Sequence, residues 1–263
     1  MGPTIATCLS RWTLSHANPA LIRKPDLWEE ILATSDTFLD ETDDGFIFTV
    51  RSGDDLDFAE LLHEREVAPR IIALLRMSKT FIDVGANIGA YSARATRLMR
   101  KPCTILSFEP HPENCKLLHL NLLSNQRNST QASVMEYRMA LASYDGYATL
   151  MEPIKGFGGS SLNGEFLRWK GEWPPLKSFK VSCVRLDDIE YTKELTTIDL
   201  LKIDVEGAEF EVIDGGKETL RKVQNIVVES SNQPGLTKVL FQHGFRLVES
   251  FHNGFYSHFS RRS

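Results

Sequence analysis

The stretch that decides the fold is FIDVGANIG, residues 81–89. Its apolar start is typical of a buried strand that ends near Asp83, and a helical pattern begins at Ile88. Glycines at positions 85 and 89 let the backbone turn sharply and approach a ligand without a clash of a Cβ atom. A helix behind such a turn offers free N–H groups and the positive end of its dipole. The stretch therefore predicts a strand, a ligand-binding turn and a helix.

An acidic residue follows at the place where the next strand is predicted to end. Glu109 stands 26 residues after Asp83 and precedes Pro110. A carboxylate at this position can accept hydrogen bonds from the ribose hydroxyls of a bound nucleoside. A dinucleotide fingerprint would require glycine at position 87, where this chain has Asn87. The side chain there suits a smaller headgroup without phosphate, such as that of S-adenosylmethionine.

Strand and helix patterns alternate along most of the chain. The predicted strands cover residues 80–84, 104–109, 134–140, 180–186, 198–205 and 225–229, and the predicted helices cover residues 61–77, 88–99, 110–123, 207–213 and 234–243. A hairpin of residues 245–249 and 255–259 closes the pattern around Asn253-Gly254. This alternation predicts an α/β fold, in which a parallel sheet carries helices on both faces.

The segment 152–179 interrupts this alternation. It is rich in Gly, Pro, Ser and Trp, and it has no clear periodicity. Segments of this length without secondary structure are usually lids or binding loops. Six basic and two acidic residues lie between positions 153 and 185, which favours an anionic or ring-bearing acceptor. The candidate substrate contacts in the loop are Ser160, Ser161, Arg168 and Lys170.

Five blocks of the sequence resemble the motifs of FkbM-type S-adenosylmethionine-dependent methyltransferases. They are FIDVGANIG at 81–89, FEP at 108–110, AL at 140–141, VRLD at 184–187 and LKIDVEGAE at 201–209. The last block is the most specific, and the resemblance covers residues 81–229. It implies the Rossmann-like class I methyltransferase fold, a seven-stranded, mostly parallel sheet with an antiparallel last strand. The cofactor would be S-adenosyl-L-methionine, held by Asp83, Gly85, Ala86, Asn87, Gly89, Glu109, Pro110, Ala140 and Asp204.

The sequence patterns divide the chain in two, and the resemblance implies a reaction. Residues 1–60 would be an N-terminal extension of short helices and strands. Residues 61–263 would be the methyltransferase domain, with residues 152–179 as its substrate loop. The reaction implied is methyl transfer, usually to a hydroxyl oxygen of a small molecule, a sugar or a natural-product intermediate.

The catalytic candidates lie at the end of the most apolar strand. Asp204 stands at its carboxyl end, Glu206 follows, and Lys202 shares a face of the strand with Asp204. We expect Asp204 and Glu206 to position the acceptor or take its proton, while Lys202 keeps Asp204 ionised. Lys202 and Asp204 would alternatively form a purely structural ion pair. A second alternative, which we do not adopt, makes Asp204, Glu229 and Asn232 oxygen ligands of Mg²⁺.

Composition limits the other function classes. The net charge is −5, and 42 % of the residues are hydrophobic, which is typical of a globular protein. Because the acidic balance disfavours nucleic acid and no apolar run approaches the roughly 20 residues of a membrane span, we expect neither partner. The scattered cysteines and the absence of a secretory pattern favour a cytoplasmic protein without a metal site. The oligomeric state is left open. A nicotinamide-dependent oxidoreductase and a non-catalytic binding module of the methyltransferase fold are the competing functions.

Overall fold

The computed structural model describes residues 37–126, 131–153, 159–229 and 235–262. The strands are β1 Phe38–Glu41, β2 Ile47–Val50, β3 Thr80–Val84, β4 Cys103–Phe108, β5 Ala132–Tyr137, β6 Ala140–Leu141, β7 Gly146–Glu152, β8 Lys177–Val184, β9 Ile198–Ile203, β10 Val223–Glu229, β11 Phe245–Phe251 and β12 Tyr256–Arg261. The helices are α1 Gly53–Ala59, α2 Ala68–Met77, α3 Ala90–Leu98, α4 Pro112–Asn125, α5 Gly164–Lys170, α6 Glu190–Glu194, α7 Glu209–Asp214, α8 Lys217–Leu220 and α9 Leu236–Gln242. The described helices include no apolar run that would reach across a bilayer.

Seven strands form the central sheet, in the order β11-β12-β10-β9-β3-β4-β5. Strands β5, β4, β3, β9 and β10 are parallel to one another, whereas the last strand, β12, is antiparallel to β10 and β11. The predicted class I methyltransferase fold is thereby confirmed. The chain order reverses between β3 and β9, and in open α/β sheets ligands bind outside the carboxyl ends of strands at such a point.

The central strands are apolar on both faces because each face carries a core layer. Phe81 and Leu200 pack with α2 and α3 on one side, while their neighbours Ile82 and Leu201 pack with α7 and α9 on the other. Strands covered on both faces have continuous apolar sequences in place of alternating ones. This explains why the predicted bounds of β3, Thr80–Val84, are confirmed to the residue.

The N-terminal hairpin β1–β2 is held against α4 by two buried amide side chains. Asn121 accepts from the Thr49 N–H at 2.6 Å, and Asn125 accepts from the Ile47 N–H at 3.0 Å. Both amides also donate to backbone carbonyls of β2. They therefore pair the backbone N–H and C=O groups of β2 that a neighbouring strand would otherwise pair. The short elements predicted within residues 1–36 lie outside the described residues.

Apart from shifts of up to three residues at element ends, the structure differs from the predicted elements in three places. The helix predicted over residues 61–77 begins only at Ala68, after a turn in which Leu61 has φ 61°. The strand predicted over residues 134–140 is two strands, because β6 leaves the central sheet and pairs with β8. The segment 152–179 contains a helix, α5, capped by Asn163 and ended by Gly171 at φ 76°. A helix of seven residues is too short to show a clear period.

Candidate active site

A cavity of about 510 Å³ lies at the carboxyl ends of β3, β4, β9 and β10. Its size falls within the roughly 300–1,000 Å³ that is usual for small-molecule sites. Many of the residues that line it come directly after these strands or end them: Gly85, Ala86, Asn87, Glu109, Pro110, Asp204, Val205, Glu206 and Glu229. The sheet topology therefore brings together residues that are far apart in the sequence.

Gly85 allows the first loop to pack directly on the end of β9. Its φ is +77°, and a Cβ atom there would lie 1.8 Å from the carbonyl oxygen of Asp204. The Asp204 N–H donates to the Val84 carbonyl at 3.0 Å, which fixes the two loops together. Gly89 has a different role, because it starts α3 and faces Leu118 of α4 without lining the cavity.

Glu109 stands at the centre of the cavity's β4 side. Its carboxylate accepts from the backbone N–H groups of Asn87 and His111, both at 2.8 Å. Burial raises the pKa of Glu109 to about 7, although these hydrogen bonds favour the ionised form. The adjacent wall includes Ala140 and is otherwise largely apolar, with Phe108, Met139, Leu141 and Leu150. The structure therefore combines a carboxylate that a ribose would need with a surface that suits a base.

Lys202 is the centre of a buried charge cluster on the β9 side. Its Nζ lies 3.1 Å from Asp204 Oδ2 and 3.9 Å from Asp83 Oδ1. Burial alone would lower the pKa of Lys202, but Asp204, Glu64 and Asp83 raise it above its usual range. Burial likewise opposes ionisation of Asp204, yet Lys202 and a hydrogen bond with Glu229 hold the pKa of Asp204 below its usual range.

Asp83 belongs to this cluster but is buried behind the cavity wall. It is 1 % exposed, accepts from the Ser92 hydroxyl at 2.6 Å and does not line the cavity. Burial raises its pKa, against the attraction of Lys202. Of the predicted cofactor residues, Asp83 and Gly89 thus lie behind the wall, and the other seven line the cavity.

Tyr91 and Glu64 are among the cavity residues that were not expected from the sequence. The Tyr91 hydroxyl donates to Glu64 Oε2 at 2.5 Å, and both side chains line the cavity beside the Lys202 cluster. Burial raises the pKa of Glu64 to about 7. Tyr91 was detectable in principle, because it stands in the first turn of the helix behind the glycines. Glu64 lies in an irregular turn before α2, where no motif marks it.

The substrate-loop candidates divide into two groups. Lys170 and Ser160 line the cavity, and Lys170 Nζ lies 2.8 Å from Glu206 Oε2. Burial raises the pKa of Glu206 to about 6, against the attraction of Lys170. Ser161 instead donates to the Glu206 carbonyl at 2.5 Å, and Arg168 stacks on Trp173 at 3.9 Å, both outside the lining.

The alternative magnesium site is only partly described. Asp204 and Glu229 both line the cavity, but Asn232 lies outside the described residues. Within residues 37–126, 131–153, 159–229 and 235–262, no group of three or more His, Cys, Asp or Glu side chains is arranged to hold a metal ion.

Comparisons with known proteins give relatives that are named as methyltransferases. Methyltransferase sdnD of Sordaria araneosa is 33 % identical over 208 residues, covering 67 % of this chain and 77 % of that protein. The 2-O-methyltransferase NoeI of Sinorhizobium fredii is 30 % identical over 178 residues, covering 64 % and 70 %. A crystal structure of Methyltransferase FkbM from Methylobacillus flagellatus aligns at a TM-score of 0.48 and 12 % identity, over 70 % of this chain and 43 % of that one. The family model for the methyltransferase FkbM domain matches residues 83–255, and the chain therefore belongs to the FkbM methyltransferase family.

Proposed function

We propose that this methyltransferase takes its methyl group from S-adenosyl-L-methionine and transfers it to a hydroxyl oxygen of a small molecule or sugar. The observation that carries the choice of donor is the layout of the cavity. Glu109 and an apolar wall occupy one side, and the acidic cluster around Lys202 occupies the other. A nucleoside with a positively charged tail has the chemistry that both sides need.

Each side of the cavity would hold one part of the donor. Glu109 would accept from the ribose hydroxyls, and Ala140 with its apolar neighbours would contact the base. The loop 85–87 would lie under the tail, which would extend toward Lys202 and Asp204. When bound, the donor supplies a methyl group on a positively charged sulfur. The protein then has mainly to align an acceptor oxygen with that methyl group and to exclude water.

The residues at the end of β9 suit a hydroxyl acceptor. A neutral hydroxyl gains nucleophilicity when a carboxylate accepts its proton during transfer. Asp204 is kept ionised by Lys202, and Glu206 follows it on the cavity wall. The relative NoeI, named as a 2-O-methyltransferase, supports oxygen as the methylated atom. We therefore propose Asp204 and Glu206 as the groups that orient the acceptor and take its proton, with Lys202 as a positioning residue.

The charge of the cavity lining indicates which size and charge of acceptor it favours. Seven carboxyl side chains and two lysines line it: Asp54, Glu64, Glu109, Glu172, Asp204, Glu206 and Glu229 against Lys170 and Lys202. A polyanion such as nucleic acid would be repelled, so a small acceptor is favoured. An anionic acceptor remains a prediction that rests on Lys170, because Arg168 lies outside the lining.

One experiment tests the donor and the methylated atom in sequence. Calorimetric titration with S-adenosylmethionine should show micromolar binding, and titration with NADH should show none. Incubation with donor labelled with ¹³C in the methyl group and a metabolite extract should then give a product whose methyl resonance is that of an O–CH₃ group. Binding of NADH alone would support the oxidoreductase alternative, and a methyl group found on nitrogen or carbon would contradict the O-methylation.

A further inference from the structure

The Lys202 cluster contains more negative than positive charge. Lys202 is the cation at its centre, and the carboxyl groups of Asp83, Asp204 and Glu64 all act on it. Asp83 Oδ1 is buried and has no hydrogen-bond partner within the described part of the chain. Ionisation of all three acids would exceed the charge of Lys202 by two, and the next cation, Lys170, is already paired with Glu206 at 2.8 Å. Such a site gains free energy when a ligand brings positive charge.

Glu64 is the member of the cluster that comes from the turn before α2, and it lines the cavity. The Tyr91 hydroxyl holds Oε2, and no hydrogen bond within the described residues engages Oε1. Tyr91 is itself 3 % exposed, and its ring lies 5.4 Å from Lys202 Nζ. Because α3 fixes Tyr91, the hydrogen bond also fixes the direction in which the Glu64 carboxylate points. Glu64 lies before the segment that matches the family model, residues 83–255.

We infer that Glu64, held by Tyr91, makes the site bind the methyl donor more tightly than its demethylated product. This inference rests on S-adenosylmethionine being the donor, as proposed above. The two molecules share the nucleoside, the ammonium and the carboxylate, and they differ in charge only at sulfur. The Glu64 carboxylate attracts the sulfonium and has no such attraction for the neutral thioether. Glu64 is therefore a specificity residue that favours donor entry and product release.

The test measures binding rather than turnover. Calorimetric dissociation constants are compared for three ligands: S-adenosylmethionine, S-adenosylhomocysteine, and sinefungin, which carries an amine cation in place of the sulfonium group. The variant Glu64→Gln removes the charge and keeps an oxygen that accepts from Tyr91. The matched control is Glu66→Gln, which makes the same change two residues away on an exposed side chain outside the cavity lining. Its amide oxygen still accepts from the His252 N–H.

Glu64→Gln should weaken binding of the two cationic ligands by about tenfold and that of S-adenosylhomocysteine by less than about twofold. Glu66→Gln should change none of the three. Equal weakening of all three ligands, or no change in any, would overturn the inference. Tyr91→Phe, which keeps the ring and frees the carboxylate, should lower the selectivity in the same direction. It serves as the test if the Gln variant does not fold.

These outcomes are separable from failure of the proposed function. If the unaltered protein binds neither S-adenosylmethionine nor S-adenosylhomocysteine, the choice of donor is wrong and the inference falls with it. If the unaltered protein binds both and Glu64→Gln leaves their ratio unchanged, the donor stands and only the role of Glu64 is wrong.

Discussion

Glu109 joins the glycine loop to the start of α4, so its carboxylate has a structural task as well as a proposed one. We predict that Glu109→Gln weakens binding of S-adenosylmethionine by at least about tenfold, since each hydrogen bond to a charged group contributes roughly 1.5–3 kcal/mol. Glu109→Ala should weaken binding similarly and lower the melting temperature more than Glu109→Gln, which keeps one oxygen acceptor. The reason is that the N–H groups of Asn87 and His111 both lose their acceptor in the Ala variant. Calorimetry and thermal melting measure the two effects.

The matched control for Glu109 is Glu113→Gln in the first turn of α4. Glu113 pairs with Lys116 on the surface and does not line the cavity, so donor affinity should not change. An unaltered dissociation constant in Glu109→Gln would remove Glu109 from the cofactor site and leave it as a brace for the loop.

Asp204 is the residue on which the proposed chemistry depends most. We predict that Asp204→Asn folds, still binds the donor and loses about 10²–10⁴-fold in methyl-transfer rate, the usual effect of removing a general base. Single-turnover measurement with labelled donor separates the chemical step from binding. Asp199→Asn is the control, because Asp199 lies at the opposite end of the same strand and accepts from the N–H groups of Lys79 and Thr80. Turnover near the original rate in Asp204→Asn would make Asp204 structural.

Among the elements, α5 and its flanking loop are those for which we predict contact with the acceptor. Asn163 Nδ2 donates to the Gly207 carbonyl, and the Phe166 ring packs so closely on Gly207 that a Cβ atom there would lie 2.6 Å from it. The loop is therefore docked on the turn that carries Glu206. We predict that cleavage of the segment 152–179 by a protease slows when donor and acceptor are both present. Equal cleavage in all ligand states would contradict a gating role.

The two basic residues of α5 provide a matched pair of variants. We predict that Lys170→Met raises the KM for the acceptor by about tenfold and leaves donor affinity unchanged, because Lys170 lines the cavity beside Glu206. Arg168→Met should have little effect on either constant, since Arg168 stacks on Trp173 outside the lining. Steady-state kinetics with each variant measures both values. Equal effects of the two changes would show that the loop attracts the acceptor by overall charge.

Some elements could be predicted from the sequence alone, and others could not. The central strands and the glycine loop were predictable, because burial on both faces leaves continuous apolar runs and the turn requires glycine. Helix α5 was not, because its seven residues contain too few turns for a period and its cap, Asn163, resembles any loop residue. Glu64 was missed for another reason. Its place in the cavity depends on how the turn before α2 folds over α3, which is a tertiary contact without a local pattern.

For the whole molecule, the buried carboxyl groups predict that the stability of the ligand-free protein depends on pH. Burial raises the pKa of the cavity residues Glu64 and Glu109 to about 7 and that of Glu206 to about 6, and it raises the pKa of Glu209, which is buried outside the cavity lining, to about 7. These carboxyls have ordinary pKa values near 4.5 in the unfolded chain, so between about pH 4.5 and 7 the folded state binds more protons than the unfolded state. Their contribution to stability is complete below the unfolded pKa and is lost as pH rises through 6 to 7.

Other groups act in a lower window of pH. Burial lowers the pKa of His258 to about 4 and also lowers that of His111, so both add stability as pH rises toward about 6.5 and little beyond. Asp204, whose pKa is lowered, loses its contribution only in acid. Between about pH 6.5 and 8 the raised carboxyls are therefore the main titrating groups among the shifted ones.

We predict that the melting temperature of the ligand-free protein falls between pH 6.5 and 8, and that the increase caused by S-adenosylmethionine is larger at pH 8 than at pH 6.5. The second effect follows because a cation binds the ionised carboxylates more strongly than the protonated ones. Thermal melting at constant ionic strength, with and without saturating donor, measures both. Glu64→Gln should flatten the dependence on pH, since it removes one of the titrating groups, whereas Glu66→Gln should not. A melting temperature that stays level or rises over this range would mean that the cavity carboxyls ionise in the folded protein without penalty. Their negative charge would then already be compensated within the protein, and it would give no reason for the cavity to prefer a cationic donor.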